Sequence, residues 1–314
     1  MGIKETFIKQ GGVKLLKQYW RGGALFTGIF EFILLGKSKT ALEILRLATS
    51  LKTKQKLEKK YKWKLDELDK NFVDENKQYE KKIWVCWMQG IENAPKIVQR
   101  CYESLKDSIV DRNIILITEK NYKKYIMFPD FIQHKIDIGI ITGAHMSDLL
   151  RLELLDNYGG TWIDATVYCS SRNVPKYMLD SDLFLFQSLK PGKDGNASVI
   201  SNWLITSKPH QKFIHMVKEL LYEYWRKNNE LVDYFIFHDF FQMIIDKYPD
   251  EWNKVIPVSN STPHILLLRL FDNYNDEVWK STTTQMPFHK LTYKYDESET
   301  KKANTFYKRI VGEI

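Results

Sequence analysis

Apolar residues recur every three or four positions through the first eighty residues, as at Ala41, Ile44, Leu45 and Ala48 and again at Leu57 and Tyr61. That spacing lines one face of a helix, and few β-branched residues interrupt it, so residues 1–80 are predicted helical. From Lys82 the period changes. The apolar run IWVCWMQG (83–90), closed by Gly90, predicts a buried strand, and APKIVQRCYESLK (94–106) predicts a helix with Pro95 near its first turn. NIILITEKN (113–121) predicts a second buried strand, and NYKKYI (121–126) the start of another helix. Strands and helices alternating at this spacing indicate βαβ units and a largely parallel sheet, an α/β fold. A boundary near residue 80 divides the chain into a helical region, 1–80, and an α/β domain, 81–314.

TGAHMSDLLRLELLDNYGG (142–160) reads as a helix with Thr142 as N-cap and Gly159-Gly160 as its stop. TWIDATVYC (161–169) and DLFLFQS (182–188) are predicted strands, PGKDGNAS (191–198) a turn-rich loop, and VISNWLITS (199–207) a strand. Helices follow over 210–228 and 232–248, and 282–295 is strand or loop. Neither an internal repeat nor a low-complexity tract is present.

On the helix before Gly159, Asp148, Arg151 and Leu155 share a face, while Leu149, Leu150, Leu152 and Leu154 make the other faces apolar. Such a helix is buried on much of its girth, and a buried charge pair is costly unless it has a task or is fully satisfied. The chain then turns at Gly159-Gly160 into a strand that ends on Asp164. Ligands of open α/β sheets gather at the carboxyl ends of strands, where a carboxylate can hold a divalent cation or a ribose hydroxyl.

With 44% hydrophobic and 27% charged residues, the 314-residue chain excludes disorder, collagen and repeat arrays. Its 14% aromatic content suits either rings that pack on sugars or an aromatic-rich core. A net charge of +8 favours anionic partners, and Lys52, Lys54, Lys56, Lys59, Lys60, Lys62 and Lys64 crowd one segment. No stacked-aromatic motif or recognition helix accompanies that segment, so no nucleic acid partner is expected. Three scattered cysteines argue for a reducing compartment and against a disulfide framework or zinc knuckle. GxGxxG, HExxH and GxSxG are all missing, and the seven histidines contain no i, i+4 pair, so each is read as structural. No cleavable signal peptide is expected from the sequence. GALFTGIFEFILLG (23–36) is too short to span a membrane and contains Glu31. Between its basic flanks it fits an interfacial element on an anionic membrane surface, or equally a helical hairpin packed on the main domain.

The stretch SDLLRLELLDNYGGTWIDATVY (147–168) resembles the motif of bacterial capsular polysaccharide synthesis glycosyltransferases. More distantly it is similar to the DXD-containing sugar transferases of the yeast initiation mannosyltransferase and large clostridial toxin kind. The resemblance covers roughly Lys82 to Lys294 and includes WMQGIENAPKIVQRCYES, SNWLITSKPH, FHDFF and FHKLTYK. It implies a GT-A-like (Rossmann-like) mostly parallel sheet with flanking helices, carrying an N-terminal helical appendage. The implied activity is retaining transfer of a hexose from a nucleotide diphosphate sugar, UDP-linked, to a lipid-linked capsular repeat unit. The implied place is cytoplasmic, peripheral on the inner face of the bacterial membrane. The oligomeric state stays open.

Carried over residue by residue, the resemblance gives Asp148 and Arg151 the donor sugar and ribose hydroxyls, and Asp164 the donor and metal shell. Thr166 stands where the family's second aspartate binds Mn²⁺ or Mg²⁺, and a neutral hydroxyl weakens such a site. His289 would complete the metal shell and Lys290 neutralise the diphosphate, the alternative being a packed histidine and an exposed lysine. Trp87, Gln89 and Gly90 would lie near the nucleotide base, with Trp87 equally readable as core. Gln187, Asn202 and Asp239 fall to the acceptor side by local similarity. The competing reading is a non-catalytic carbohydrate- or membrane-binding protein on the same fold.

Overall fold

The helical period of the N-terminal region resolves, in a computed structural model that describes residues 12–75, 78–189 and 198–314, into three helices. These are α1 (Gly12–Gly22), α2 (Leu25–Leu35) and α3 (Lys39–Asn71); residues 1–11, also predicted helical, lie outside the described residues. Ser38 starts α3 by accepting the Ala41 N–H at 3.0 Å, so a cap stands where the apolar period resumes. α1 and α2 lie against α3, with Gly22 close to Thr53 and Gly28 close to Thr49. The second half of α3 buries Leu57, Tyr61 and Leu65 in one core with Trp84 and Phe240. Tyr61 meets Phe240 edge-on, with ring centroids 5.2 Å apart.

Five strands form the central sheet: β1 (Ile83–Cys86), β2 (Ile114–Ile117), β3 (Gly160–Ile163), β5 (Leu183–Gln187) and β6 (Ile200–Ser207), in the order β2-β1-β3-β6-β5. β1 is parallel to β2 and β3, while β6 runs antiparallel to both of its neighbours. Four strands therefore point one way and β6 is reversed, as a mostly parallel sheet requires. Alternation along the strands feeds two cores. Trp84, Trp162 and Ile205 face one side with α6 (Gly143–Tyr158), α7 (Lys212–Lys227) and α8 (Ile236–Lys247). Ile83, Val85, Ile163 and Leu204 face the other, with α4 (Lys96–Ser108). The short α5 (Asp130–Asp137) packs on α7.

The turn from α6 into β3 needs both glycines. Gly159 and Gly160 have φ of +66° and +94°, and a Cβ on Gly160 would come within 2.4 Å of the Lys82 carbonyl oxygen. Trp84 Nε1 donates to the Gly159 carbonyl at 2.8 Å and fixes the turn against β1. Thr142 does precede α6, but its hydroxyl makes no capping bond.

Three expectations change. TWIDATVYC is not one strand: β3 stops at Ile163, and the chain bends through Asp164–Thr166 before β4 (Val167–Cys169). β4 leaves the sheet and pairs antiparallel with β7 (Phe288–Lys290), so the bend places Thr166 and Lys290 side by side. NYKKYI forms only a 3₁₀ turn at Tyr122–Lys124. Residues 282–295 divide between the end of α9 (Asp276–Gln285) and β7. Of the predicted loop PGKDGNAS, residues 191–197 lie outside the described residues.

Candidate active site

Parallel strands bring their carboxyl ends to one edge of the sheet, and reversed β6 contributes its amino end there. Trp87 follows β1 and Asp164 follows β3 at this edge, while Asn202 enters it on β6 and Gln187 ends β5. Because α6 runs back to the start of β3, its first turns, with Asp148 and Arg151, lie at the same edge.

Asp164 is the focus of the charges. Its Oδ1 accepts from Trp162 Nε1 at 2.9 Å and faces Arg151 Nη2 at 3.4 Å; its Oδ2 faces Lys290 Nζ at 3.1 Å. Burial pushes its carboxyl upward, but Lys290 and Arg151, with the Trp162 bond, outweigh burial and hold it below the ordinary carboxylate value. The Lys290 ammonium also donates to Thr166 Oγ1.

Arg151 is only 5% exposed and fully engaged. It donates to the Asn202 carbonyl, approaches Ser147 Oγ and Asp148 Oδ1 at 3.4 and 3.5 Å, and lies 4.9 Å above the Trp162 ring. Asn202 Nδ2 in turn donates to Asp148 Oδ1 at 3.0 Å. Asp148, Arg151, Asp164, Asn202, Thr166 and Lys290 thus form one connected network.

The expected metal shell does not converge. His289 is wholly buried beside Lys290 on β7, with its Nε2 2.9 Å from Ser170 Oγ. Burial lowers its pKa to about 4. Thr166 is occupied by Lys290, and Asp164 is the single carboxylate, facing two cationic side chains. Mg²⁺ and Mn²⁺ take several oxygen ligands, and this set does not fit them. Among the described residues, the side chains grouped so that they could hold a metal ion are Asp156, His210 and His215, elsewhere on the molecule.

Trp87 is half-buried edge-on to Tyr293, with ring centroids 5.2 Å apart and no partner for its buried Nε1. Gln89 is exposed, and Gly90 holds a φ of +85° that suits glycine. Gln187 is buried, its backbone bonded to Val258 and Asn260.

Asp239 is not brought to the network. It is 1% exposed, both carboxylate oxygens lack partners, and the charges facing it are Asp233, Lys54 and Glu58. Its neighbour in the FHDFF stretch, His238, is the residue that senses Asp148 and Arg151. Burial lowers the His238 pKa to about 4 against the pull of Asp148, and its Nδ1 has no partner. Sequence reasoning gave Asp239 to the acceptor side by local similarity and did not single out His238. Trp162 was also missed, although it stands two residues before Asp164, where strand alternation returns to the same side.

Burial, then Asp233, raises the Asp239 carboxyl well above its usual range. The folded chain therefore binds this proton more tightly than the unfolded chain above about pH 4. Stability from this group is full below that pH and falls as the pH rises toward neutrality. Asp239→Asn should melt about a few degrees higher than the parent at pH 7 and near the parent at pH 4. Melting curves from pH 4 to 8 check this; parallel pH profiles for the two proteins would refute it.

Residues 37–310 match the family described as capsular polysaccharide synthesis protein. The chain is 24% identical over 161 residues to "O-glycosyltransferase PaGT" of Phomopsis amygdali, covering 44% of this chain and 39% of that protein. It is 33% identical over 95 residues to "O-glycosyltransferase braB" of Annulohypoxylon truncatum, covering 27% and 23%. It therefore spans well under half the length of these curated relatives. A solved structure named "PaToxG Glycosyltransferase" aligns with a TM-score of 0.37 at 16% identity, over 83% of this chain and 96% of that one. The family match takes in α3, the whole sheet and the Asp164 network, and the chain belongs to the capsular polysaccharide synthesis protein family.

Proposed function

We propose that the chain is a glycosyltransferase of GT-A-like fold that moves a hexose from a nucleotide diphosphate sugar, UDP-linked, to a lipid-linked capsular repeat unit. The observation that carries this reading is the Asp164 network, where two cationic side chains and two carboxylates meet at the carboxyl edge of the sheet. The two relatives named as O-glycosyltransferases support it.

In this reading Lys290, held by Asp164 and Thr166, faces the diphosphate and stabilises the charge that grows as the sugar–phosphate bond breaks. Asp148 accepts from donor sugar hydroxyls, and Trp87 lies against the base. The anomeric configuration is retained. The departing diphosphate oxygen takes the acceptor proton, so no strong base is required, and positioning supplies much of the rate. The test is release of UDP or GDP across common nucleotide sugars. A UDP-hexose should be turned over; a folded protein that releases neither nucleotide from any donor would leave the non-catalytic binder, which the unconverged metal shell favours.

The same proposal puts the protein on the cytoplasmic face of an anionic membrane, with residues 1–80 as the surface-seeking region and 81–314 as the transferase. No helix among the described residues is long and apolar enough to cross a membrane. On α2, however, Phe26, Phe30 and Ile33 are 78%, 61% and 73% exposed, and Trp20 on α1 is exposed beside Lys14, Lys17 and Arg21. Apolar burial and about 1 kcal/mol per basic side chain would hold such a face on anionic lipid. Replacing Phe26, Phe30 and Ile33 together by Ser should abolish co-sedimentation with anionic vesicles while leaving donor hydrolysis intact. Parent binding should weaken at high salt. Equal sedimentation of the two proteins, or none by either, overturns the assignment.

A further inference from the structure

At the edge of the sheet opposite Asp164, α6 ends beside the loop that enters α7. Asp156, eight residues beyond Asp148 and so about 12 Å along the helix, meets two histidines there. Its Oδ2 is 3.0 Å from His215 Nδ1, and its Oδ1 is 3.5 Å from His210 Nδ1. The imidazole rings are 4.3 Å apart. Asp156 is 5% exposed, yet Oδ1 has no hydrogen-bond partner. A buried carboxylate oxygen left in this state costs on the order of 1–3 kcal/mol or more, unless something fills the gap.

We propose that Asp156 Oδ1, His210 Nδ1 and His215 Nδ1 bind one Zn²⁺, a site separate from the Asp164 network. Zinc takes imidazole nitrogen and carboxylate oxygen at about 2.0–2.2 Å, which in a tetrahedron sets ligand atoms about 3.3 Å apart. His210 Nδ1 lies 3.5 Å from Asp156 Oδ1, close to that value, and one ligand atom from each of the three residues lies within 4.8 Å of the others. Lys218 holds the other oxygen, Oδ2, at 2.7 Å and lies 3.8 Å from Glu153. With Glu219 at 3.7 Å, three carboxylates face this one ammonium, leaving negative charge for a cation to meet. Both histidines are partly exposed, so water can supply the fourth ligand.

Phe72, just after α3, stacks on His210 at 5.1 Å and 14° and lies 5.9 Å from His215, giving the site an apolar cover. His210 holds a φ of +50°, a conformation that a non-glycine residue keeps only when its surroundings impose it. The ion would pin the end of α6 to the start of α7 beneath the end of α3, bracing the helix whose first turns carry Asp148 and Arg151.

The full-length protein, stripped with chelator and dialysed, should retain one equivalent of added Zn²⁺ per chain. Its melting temperature should rise by about 5–10 °C when zinc is about 100-fold above its Kd, and not with Mg²⁺. Added Co²⁺ should give the visible absorption of a four-coordinate nitrogen-oxygen site. His210→Asn, chosen because asparagine tolerates positive φ, and His215→Gln should each lose the zinc, the colour and the melting shift, while Asp164→Asn keeps all three. Absence of bound zinc and of cobalt colour in the parent overturns the proposal without any variant, as does an equal response to Mg²⁺. Undiminished zinc binding by a folded His210→Asn, His215→Gln double variant overturns it too.

Discussion

Asp164→Asn should fold and yet turn over donor about 10²-fold or more slowly, a loss of roughly 3 kcal/mol or more of transition-state stabilisation. Asparagine preserves the size of the side chain and an oxygen for the Trp162 indole. It removes the charge that anchors Lys290 at 3.1 Å and that Arg151 faces at 3.4 Å. Freed of that anchor, Lys290 loses its fixed position toward the diphosphate, and ordering it again must be done at each turnover. The effect on stability is smaller and has a definite pH window. The folded pKa of Asp164 is depressed, so its stabilising contribution is present above the unfolded value of about 4 and is lost as pH falls through the folded value. The variant should therefore melt slightly below the parent at pH 7 and converge with it in acid. Nucleotide release at saturating donor, with melting curves alongside, checks both parts. Parental turnover by the folded variant would remove Asp164 from the reaction.

Much of this arrangement was legible because two periods in the chain are strong. The leucine-rich girth around Asp148 and Arg151 announced a buried helix, and Gly159-Gly160 announced its sharp exit; both hold, with φ values that only glycine adopts readily. Asp164 at the end of a strand followed from the same reading. Bends dictated by tertiary pairing were not legible. TWIDATVYC has the β-branched and aromatic content of one continuous strand, but Val167–Cys169 gains more by pairing with Phe288–Lys290, far away along the chain. That distant pairing sets Lys290 against Thr166 and Asp164 and turns His289 to Ser170, which no local spacing encodes. The separation of Asp239 from the network was not legible for a related reason. Adjacent helix positions point about 100° apart, so Asp239 faces Lys54 and Glu58 of α3 while the charges acting on His238 are those of Asp148 and Arg151. His210 and His215 escaped notice because five residues is no helical repeat; one precedes α7 and the other lies within it.

Arg151→Lys should lower kcat/KM by about 10²-fold although the charge is kept, about 3 kcal/mol by the rate relation. The expectation from resemblance was a side chain gripping sugar hydroxyls, but the arginine is buried and its donors are already directed at protein groups. It reaches the Asn202 carbonyl, the Ser147 hydroxyl, Asp148 and Asp164 from one planar fork while lying over the Trp162 ring. We therefore read it as a positioning residue that holds the two carboxylates in fixed relation. A lysine ammonium is a compact group on a flexible stem with three donors, and it cannot reach both carboxylates and the Asn202 carbonyl together. One carboxylate then loses its guanidinium contact in a largely buried place, although Asp164 keeps Lys290 and Trp162 and Asp148 keeps Asn202. Because Asp148 would bind donor and Asp164 would fix Lys290, the KM for donor should rise and kcat should fall together. A purely structural arginine predicts a different signature: a smaller active fraction with unchanged KM and unchanged kcat per active molecule. Steady-state kinetics on protein whose folded fraction has been measured separates the two. A lysine variant with parental kcat and KM would reduce the Asp148–Arg151–Asp164 network to an ion cluster that serves the fold alone.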